Sequence, residues 1–401
     1  MQQKTRPLDG IRVLEVGQLL AGPFTGSILA YYGAEVIKVE PPGRGDPIRH
    51  WRLLDEDGTS FWWRSLGRNK KCITANLRTE EGRELVGRLA GECDVLVENF
   101  RPGVMEKWGL GPADLWRDNP GLIYARISGY GQDGPYASKP GFASVCEGIG
   151  GLRYVNGKPG KAPMRPNLSL GDSLAGLHTA LGIVMACLHQ ANNPGSKGQV
   201  IDTALYEAVF NLLEGVVPEY DGAGVVREPS GSTITGIVPT NTYQCSDGKF
   251  IIIGANGDSI FKRLCEKMGR GDMAEDNRFA DNSGRVQHEQ EIDEAITTWT
   301  NSLDSSSALS LLDDARVPSG PIYSVADMMV NEHFIARGLF EEVEVNNKSL
   351  KIPAMVPRLS ETPGRTDWPG TGVGAFNQAV YGGLLGLSKQ EIVELEEQGV
   401  L

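Results

Sequence analysis

The chain has 401 residues, 40% of them hydrophobic and 7% aromatic, and 39 Lys and Arg stand against 51 Asp and Glu for a formal charge of −12. That length predicts two lobes rather than one core, and an acidic chain whose longest basic block is Arg68-Asn-Lys-Lys71 is not expected to bind nucleic acid. The six cysteines and five histidines are scattered without C-x-x-C or H-x-x-x-H pairs, so neither a disulfide framework nor a metal site is expected. Residues 1–7 carry no apolar leader core, and no stretch reads as a transmembrane length, so the expectation is a cytoplasmic protein with no membrane partner.

Ile11–Val16 reads as a short buried strand, followed by a helix from the Gln18-Leu-Leu-Ala-Gly-Pro-Phe stretch to about Tyr32. Glu35–Glu40 and Cys72–Ala75 are the next strands, and a helix follows from Thr79 to about Ala90 with Glu80 and Glu81 placed to suit the helix dipole. Asp94–Glu98 and Leu122–Ser128 continue the alternation, which predicts an α/β lobe built on a parallel sheet. The first turn, Gly17 to Gly22, lacks the G-x-G-x-x-G spacing, so a nicotinamide-dependent dehydrogenase is disfavoured.

After a long apolar helix to about Ala191, Gln199–Leu205 and a helix through Leu213 complete the first pass. Asp221–Thr235, rich in Gly, Ser and Pro, reads as a linker. Thr242–Cys245 and Lys249–Gly254 flank a Ser246-Asp247-Gly248 hairpin signal, and helices follow to Met268, over Glu289–Asn301 and over Ser305–Ala315. The predicted division is therefore residues 1–220 as a large domain, 221–324 as linker and smaller α+β domain, and 325–401 as a return to the first. A hairpin around Asn346-Asn347 and a final helix over Ser388–Gln398 belong to that return.

The residue that directs attention to chemistry is Asp172, in Asn167-Leu-Ser-Leu-Gly-Asp-Ser-Leu-Ala-Gly176. An apolar run ends at a glycine, one carboxylate follows, and the long helix begins. Two readings compete: an N-cap, or a carboxylate nucleophile that attacks a thioester to form an acyl-aspartyl intermediate.

Seven separated motifs decide between them: Pro7-Leu-Asp-Gly-Ile-Arg-Val-Leu-Glu, Leu20-Ala-Gly-Pro-Phe24, Gly33-Ala-Glu-Val-Ile-Lys-Val-Glu40, Val97-Glu-Asn-Phe-Arg-Pro-Gly103, Ser128-Gly-Tyr-Gly131, Gly171-Asp-Ser173 and Val317-Pro-Ser-Gly-Pro-Ile322. Together and in order they resemble the class III CoA-transferases, the formyl-CoA and carnitine CoA-transferase type. The resemblance implies a Rossmann-like large domain with a parallel sheet, a smaller α+β domain, and an interlocked ring-shaped homodimer. It makes Asp172 the acyl-accepting nucleophile and assigns coenzyme A contacts to Arg78, Asn99, Phe100 and Lys107. Ala75, Asn76, Leu77 and Arg101 line the same groove, and Leu20 and Ala21 border it. Leu20 stands where formyl-CoA transferase has glutamine, and Pro41 where it has an adenine-stacking arginine.

The reaction so implied is CoA exchange between an acyl-CoA and a free carboxylic acid, with coenzyme A as substrate rather than resident cofactor. Arg165, in Met164-Arg165-Pro166, resembles members that use succinyl-CoA and dicarboxylates, and would pair with the distal carboxylate of the acid. Gly254 and Gly257 bound a turn that reads either as a mobile loop over the intermediates or as a plain strand-to-helix turn. The related α-methylacyl-CoA racemases need a histidine where this chain has Gly141-Phe142-Ala143, so racemisation is the alternative, together with a non-catalytic acyl-CoA-binding protein.

Overall fold

The computed structural model describes residues 5–401, so residues 1–4 of the stretch read for a leader lie outside it. Two compact units divide the described residues: one comprises 5–152, Pro166–Leu213 and Ile335–Leu401, the other Arg153–Arg165 and Glu214–Phe334. The chain thus leaves the first unit twice, and the short excursion at Arg153–Arg165 has no counterpart in the predicted division. The long excursion starts seven residues earlier than predicted, at Glu214, and ends at Phe334 rather than at residue 324.

The larger unit is built on six parallel strands: β1 (Arg12–Glu15), β2 (Glu35–Glu40), β3 (Lys70–Thr74), β4 (Val95–Glu98), β5 (Ile123–Ser128) and β6 (Val200–Ala204). Their order is β3-β2-β1-β4-β5-β6, the doubly wound arrangement in which strand order reverses between β1 and β4. Helix α1 (Ala21–Tyr31) follows β1, and α2 (Glu80–Gly91) follows β3 with Thr79 capping it through Gly82 N. Then come α3 (Ala143–Ile149) and α4 (Leu170–Asn192). Strands β2, β4 and β5 are buried almost end to end, as expected for parallel strands covered on both faces. One sheet face packs Val13, Val36, Val97 and Ile123 against Leu29, Ala180 and Ile183 of α1 and α4.

Helix α4 corrects the reading that no stretch approaches transmembrane length: its 23 residues pass that test by length and hydropathy, although membrane and core helices pass it alike. Its buried face consists mainly of small residues, Gly171, Ala175, Gly176, Thr179, Ala180 and Ala186, with Ile183. A Cβ on Gly176 would come within 2.9 Å of the Ala21 carbonyl, so glycine there lets α1 and α4 pack backbone to backbone. The opposite face leaves Leu177, Leu181, Met185 and Leu188 more than half exposed.

The smaller unit carries an antiparallel sheet of β7 (Thr240–Gln244), β8 (Phe250–Gly254) and β9 (Ser319–Pro321). Helices α5 (Asp258–Lys267), α6 (Glu289–Asn301) and α7 (Ser305–Asp314) bury Phe261, Leu264, Ile292, Ile296 and Leu312 against Ile251 and Ile253. Where a plain linker was expected, residues up to Ala223 form a short helix, Val216–Ala223.

The return begins with the hairpin β10 (Phe340–Val345) and β11 (Lys348–Pro353), turning at Asn346 and Asn347, both with positive φ. Helices α8 (Asn377–Leu385) and α9 (Lys389–Glu397) then complete the second face of the parallel sheet, where Val380, Tyr381, Ile392 and Leu401 join Leu14, Ile37 and Leu96. The Tyr381 hydroxyl donates to the Thr74 carbonyl at 2.7 Å, and Asn76 N donates to Val400 O at 2.8 Å. The C-terminus therefore braces the end of β3. All six cysteines are free thiols.

Candidate active site

Ligands of doubly wound sheets bind beyond the carboxyl ends of the strands where strand order reverses. In this chain that point lies between the loops leaving β1 and β4. The two are stapled together: Gln18 N donates to Asn99 Oδ1 at 2.8 Å, and Asn99 Nδ2 donates back to Gln18 O at 2.7 Å. Gly17 fits beneath because a Cβ there would lie 2.8 Å from Asn99 Oδ1.

A cavity of about 910 Å³ opens beside this staple, lined by Gln18, Pro41, Pro42, Trp51, Phe100 and Trp108 among others. Of the residues read from sequence as coenzyme A contacts, it gathers Ala75, Asn76, Leu77, Arg78 and Phe100. It also gathers Arg44 and His50, which sequence reasoning passed over. The signal for them was the run Pro41-Pro-Gly-Arg-Gly-Asp-Pro47, whose turns fold back under the end of β2. Asp46 then caps the 3₁₀ turn Pro47–His50 through Ile48 N and presents His50 at the rim. The Arg44 and Arg78 side chains have no ion-pair partner among the described residues.

Other sequence-read residues fall elsewhere. Asn99 does not offer its amide to the cavity, because the staple to Gln18 occupies both polar atoms. Leu20 and Ala21 are buried, Leu20 against Ile48, Trp63, Leu66 and Cys72, so they form a packed wall rather than a lining. Arg101 is exposed and outside the lining. Lys107, at the end of the short helix Val104–Lys107, borders a different groove with Glu80, Arg83 and Glu84, and only Trp108 touches both.

Asp172 lies in the first turn of α4, half-buried. It is not the N-cap: that position is Ser169, whose side chain makes no capping bond. Instead the buried carboxylate of Glu147, from α3, accepts from Gly171 N at 3.2 Å. The first turn is thus held by a neighbouring helix, which leaves the Asp172 carboxylate at the positive end of a long helix dipole, an effect of about 0.3–1 kcal/mol. Ala21 and Ala175 share one apolar cluster with Cys146. Burial, with Asp172 nearby as a weaker contributor, pushes the Cys146 thiol up to about 11 against a hydrogen bond from Tyr130. At neutral pH that sulfur keeps its proton.

The same strand end carries Glu98, which burial pushes up to about 7 against its ion pair with Arg126 at 2.7 Å. Its other oxygen accepts from Phe100 N at 2.7 Å, so Glu98 aims the loop that reaches the cavity. His178, six residues beyond Asp172, donates from Nδ1 to Leu174 O at 2.8 Å; in that tautomer Nε2 accepts from Asn211 Nδ2 at 3.3 Å. Both ring nitrogens are engaged, which is the geometry of a packed histidine rather than a proton shuttle.

In the smaller unit, Arg165 is exposed at the end of the short excursion. Gly254 closes β8 and Gly257 precedes α5, and neither adopts a positive φ. The turn between them is pinned: fully buried Arg285 donates to Asn256 O at 2.6 Å and to Asp258 Oδ1 at 2.7 Å. That anchorage runs against the expectation of a freely mobile loop, and nothing in the local spacing advertised Arg285.

The model of CoA-transferase family III matches residues 8–375. The succinyl-CoA–D-citramalate CoA-transferase of Chloroflexus aurantiacus is 45% identical over 401 residues, covering 100% of this chain and 99% of that protein. The succinate–glutarate CoA-transferase of Agrobacterium fabrum is 34% identical over 387 residues, covering 95% and 96%. A crystal structure of a CaiB/BaiF family protein from Brucella suis superposes with a TM-score of 0.84 at 34% identity, covering 95% of this chain and 100% of that one. A doubly wound sheet, a cavity at its switch point and a family match over nearly the whole length lead to one conclusion: the chain is an enzyme of CoA-transferase family III.

Proposed function

We propose that the enzyme moves CoA from succinyl-CoA to a dicarboxylic acid of the size of citramalate or glutarate, with Asp172 as the covalent intermediary and the switch-point cavity as the seat of the nucleotide. The observation that carries the nucleotide assignment is the cavity itself. In a chain of net charge −12, it combines two ion-pair-free guanidinium groups, Arg44 and Arg78, with His50 and the apolar surfaces of Pro41, Pro42, Trp51 and Phe100. That set suits a polyphosphate bearing a flat base. Gln18 lines this cavity, and three residues on, the Ala21 carbonyl lies against Gly176. One short loop thus runs from the nucleotide's place toward the first turn of α4.

The exchange proceeds in four balanced steps. An Asp172 oxygen attacks the succinyl thioester, the C–S bond breaks, and CoA leaves as thiolate from a mixed anhydride. The thiolate attacks the Asp172 acyl carbon and expels succinate, leaving an aspartyl-CoA thioester. The acceptor carboxylate attacks that thioester and releases the thiolate again. Finally the thiolate attacks the acceptor's acyl carbon and restores the Asp172 carboxylate. Net proton transfer is zero, so no general base is required, consistent with the engaged state of His178. Arg165 serves the distal carboxylate of the acid by a bidentate pair.

The assembly belongs to the same reading: an interlocked homodimer whose contact includes the exposed stripe of α4. Leu177, Leu181, Met185 and Leu188 recur at helical spacing, and each side chain covered by a partner contributes about 1.5–3 kcal/mol. A chain that leaves its large unit twice and comes back is suited to threading around a second copy.

Four outcomes follow. Asp172→Ala is expected to lower exchange below roughly a thousandth of wild type, and hydroxylamine should trap an aspartyl hydroxamate, visible by peptide mass, only in wild-type enzyme incubated with succinyl-CoA; a trapped residue elsewhere would displace Asp172. Arg44→Ala and Arg78→Ala should each raise the KM for succinyl-CoA roughly tenfold, as expected for a charge-assisted contact worth about 1.5 kcal/mol, with kcat nearly kept; an unchanged KM removes the cavity from the nucleotide's path. Arg165→Ala should collapse the ratio of glutarate to butyrate turnover, measured with succinyl-CoA as donor, toward unity, and an unaltered ratio excludes it as the selector. The double substitution Leu181→Glu with Met185→Glu should convert a dimer to monomer in sedimentation velocity; a wild-type monomer, or an undisturbed dimer, refutes the α4 contact.

A further inference from the structure

Strands β1, β2 and β3 and the turn after β2 carry buried charges that the reaction does not use. Glu15, Lys38, Glu40, Asp46 and Lys70 are each 0–1% exposed and Arg49 is 3% exposed, three acids with three bases. Lys38 Nζ lies 2.8 Å from Asp46 Oδ2 and 3.2 Å from Glu15 Oε1, and Lys70 Nζ lies 2.8 Å from Glu15 Oε2. Each ammonium also reaches a backbone carbonyl, Lys38 that of Gly17 at 2.5 Å and Lys70 that of Pro23 at 2.6 Å. The Asp46 carboxylate accepts from Leu19 N at 3.1 Å on both oxygens and from Ile48 N at 3.1 Å. Leu19 has a φ of 66°, a left-handed conformation that a leucine does not hold without restraint.

Leu19 belongs to the wall that carries Gln18, and Ile48 to the wall that carries His50 and Trp51. We infer that Asp46, backed by Lys38, is a positioning residue that locks the two walls of the cavity to each other and holds Leu19 left-handed. Of the backbone groups in Gly17–Leu19, Gly17 N is taken by Val97 O, Gly17 O by Lys38, both groups of Gln18 by Asn99, and Leu19 N by Asp46. The loop is therefore fixed before any ligand arrives, which places the nucleotide without a closing motion. This inference rests on the cavity being the nucleotide's seat, so its test includes a measurement independent of CoA.

The experiment is a double-mutant cycle of Asp46→Ala and Leu19→Gly, read by steady-state kinetics and by peptide-level hydrogen exchange of the unliganded enzyme. Asp46→Ala is expected to speed exchange in peptides covering residues 17–22 and 46–51 and to raise the KM for succinyl-CoA roughly tenfold, with a smaller change in kcat. In the Leu19→Gly background the same substitution should raise KM at least about threefold less, because glycine needs no restraint to adopt positive φ. A merely structural role would move kcat and both KM values together and show no such coupling. Unchanged exchange at both peptides, or an equal KM effect in both backgrounds, overturns the inference; faster exchange with an unchanged KM keeps the lock and moves the nucleotide elsewhere. Should Asp46→Ala fail to fold, Leu19→Val crowds the left-handed backbone without touching a buried charge, and it must raise the same KM; if it does not, the inference falls.

Discussion

Lys38 has no exposed surface, and its ammonium group joins two strands, one loop and one turn. Deprived of water, that charge is tolerable only because Asp46 and Glu15 sit within 3.2 Å and the Gly17 carbonyl accepts from it. Removing one member of such a set leaves a buried charge unmatched, which typically costs about 3–5 kcal/mol, whereas the intact set contributes little net stability over an apolar core. Its value is therefore geometric. Glu15 makes the point: its carboxylate faces two lysines yet receives no well-directed hydrogen bond, so charge alone holds it, pressed beneath Gly26 of α1 where any side chain would collide with it. The first helix, the first loop and the turn after β2 are all located by this one cluster.

From that constraint the location of the candidate site follows. The loop after β1 is held in place, because five of the six backbone polar groups of Gly17–Leu19 are engaged by Val97, Asn99, Asp46 and Lys38. The departures from formyl-CoA transferase seen in the sequence then acquire a structural meaning. Leu20, in place of glutamine, is buried against Trp63 and Ile48 and extends the apolar wall instead of offering a hydrogen bond. Pro41, in place of arginine, borders the cavity with Pro42, and the guanidinium nearby comes from Arg44 three residues later.

Much of this was legible in the residues, and the parts that were not have identifiable reasons. Glu35–Glu40 and Glu289–Asn301 were read with the ends they have, since the one is a buried β-branched run and the other an amphipathic segment with acidic residues in its first turn. The parallel sheet followed from alternation of strand and helix. The cap alternative for Asp172 stayed open on local sequence because the brace of that turn, Glu147, lies on another helix and no local pattern shows it. Asn99 and Lys107 were placed on the ligand by resemblance; a single polar side chain can staple a loop as readily as it can bind, and only geometry separates the two. The Arg153–Arg165 excursion was missed for a related reason: thirteen residues with no core of their own give no compositional signal of belonging to another unit. Short helical turns such as Pro47–His50 depend on capping by Asp46, whose partners come from three places in the chain.

Helix α4 is one element that meets three different demands. Its first turn holds a carboxylate where helix polarity favours the anion. Its inner face is small, and Gly176 lets α1, and with α1 the locked loop, pack closely against the start of the helix. Its outer face is free of that limit and carries large apolar side chains. These demands explain why the helix reads as a membrane span by composition. Small residues on one side and leucines on the other raise mean hydropathy throughout, and Asp172 is the one Asp, Glu, Lys or Arg among its 23 residues. The hydropathy of α4 is thus a by-product of close packing on one side and an apolar surface on the other.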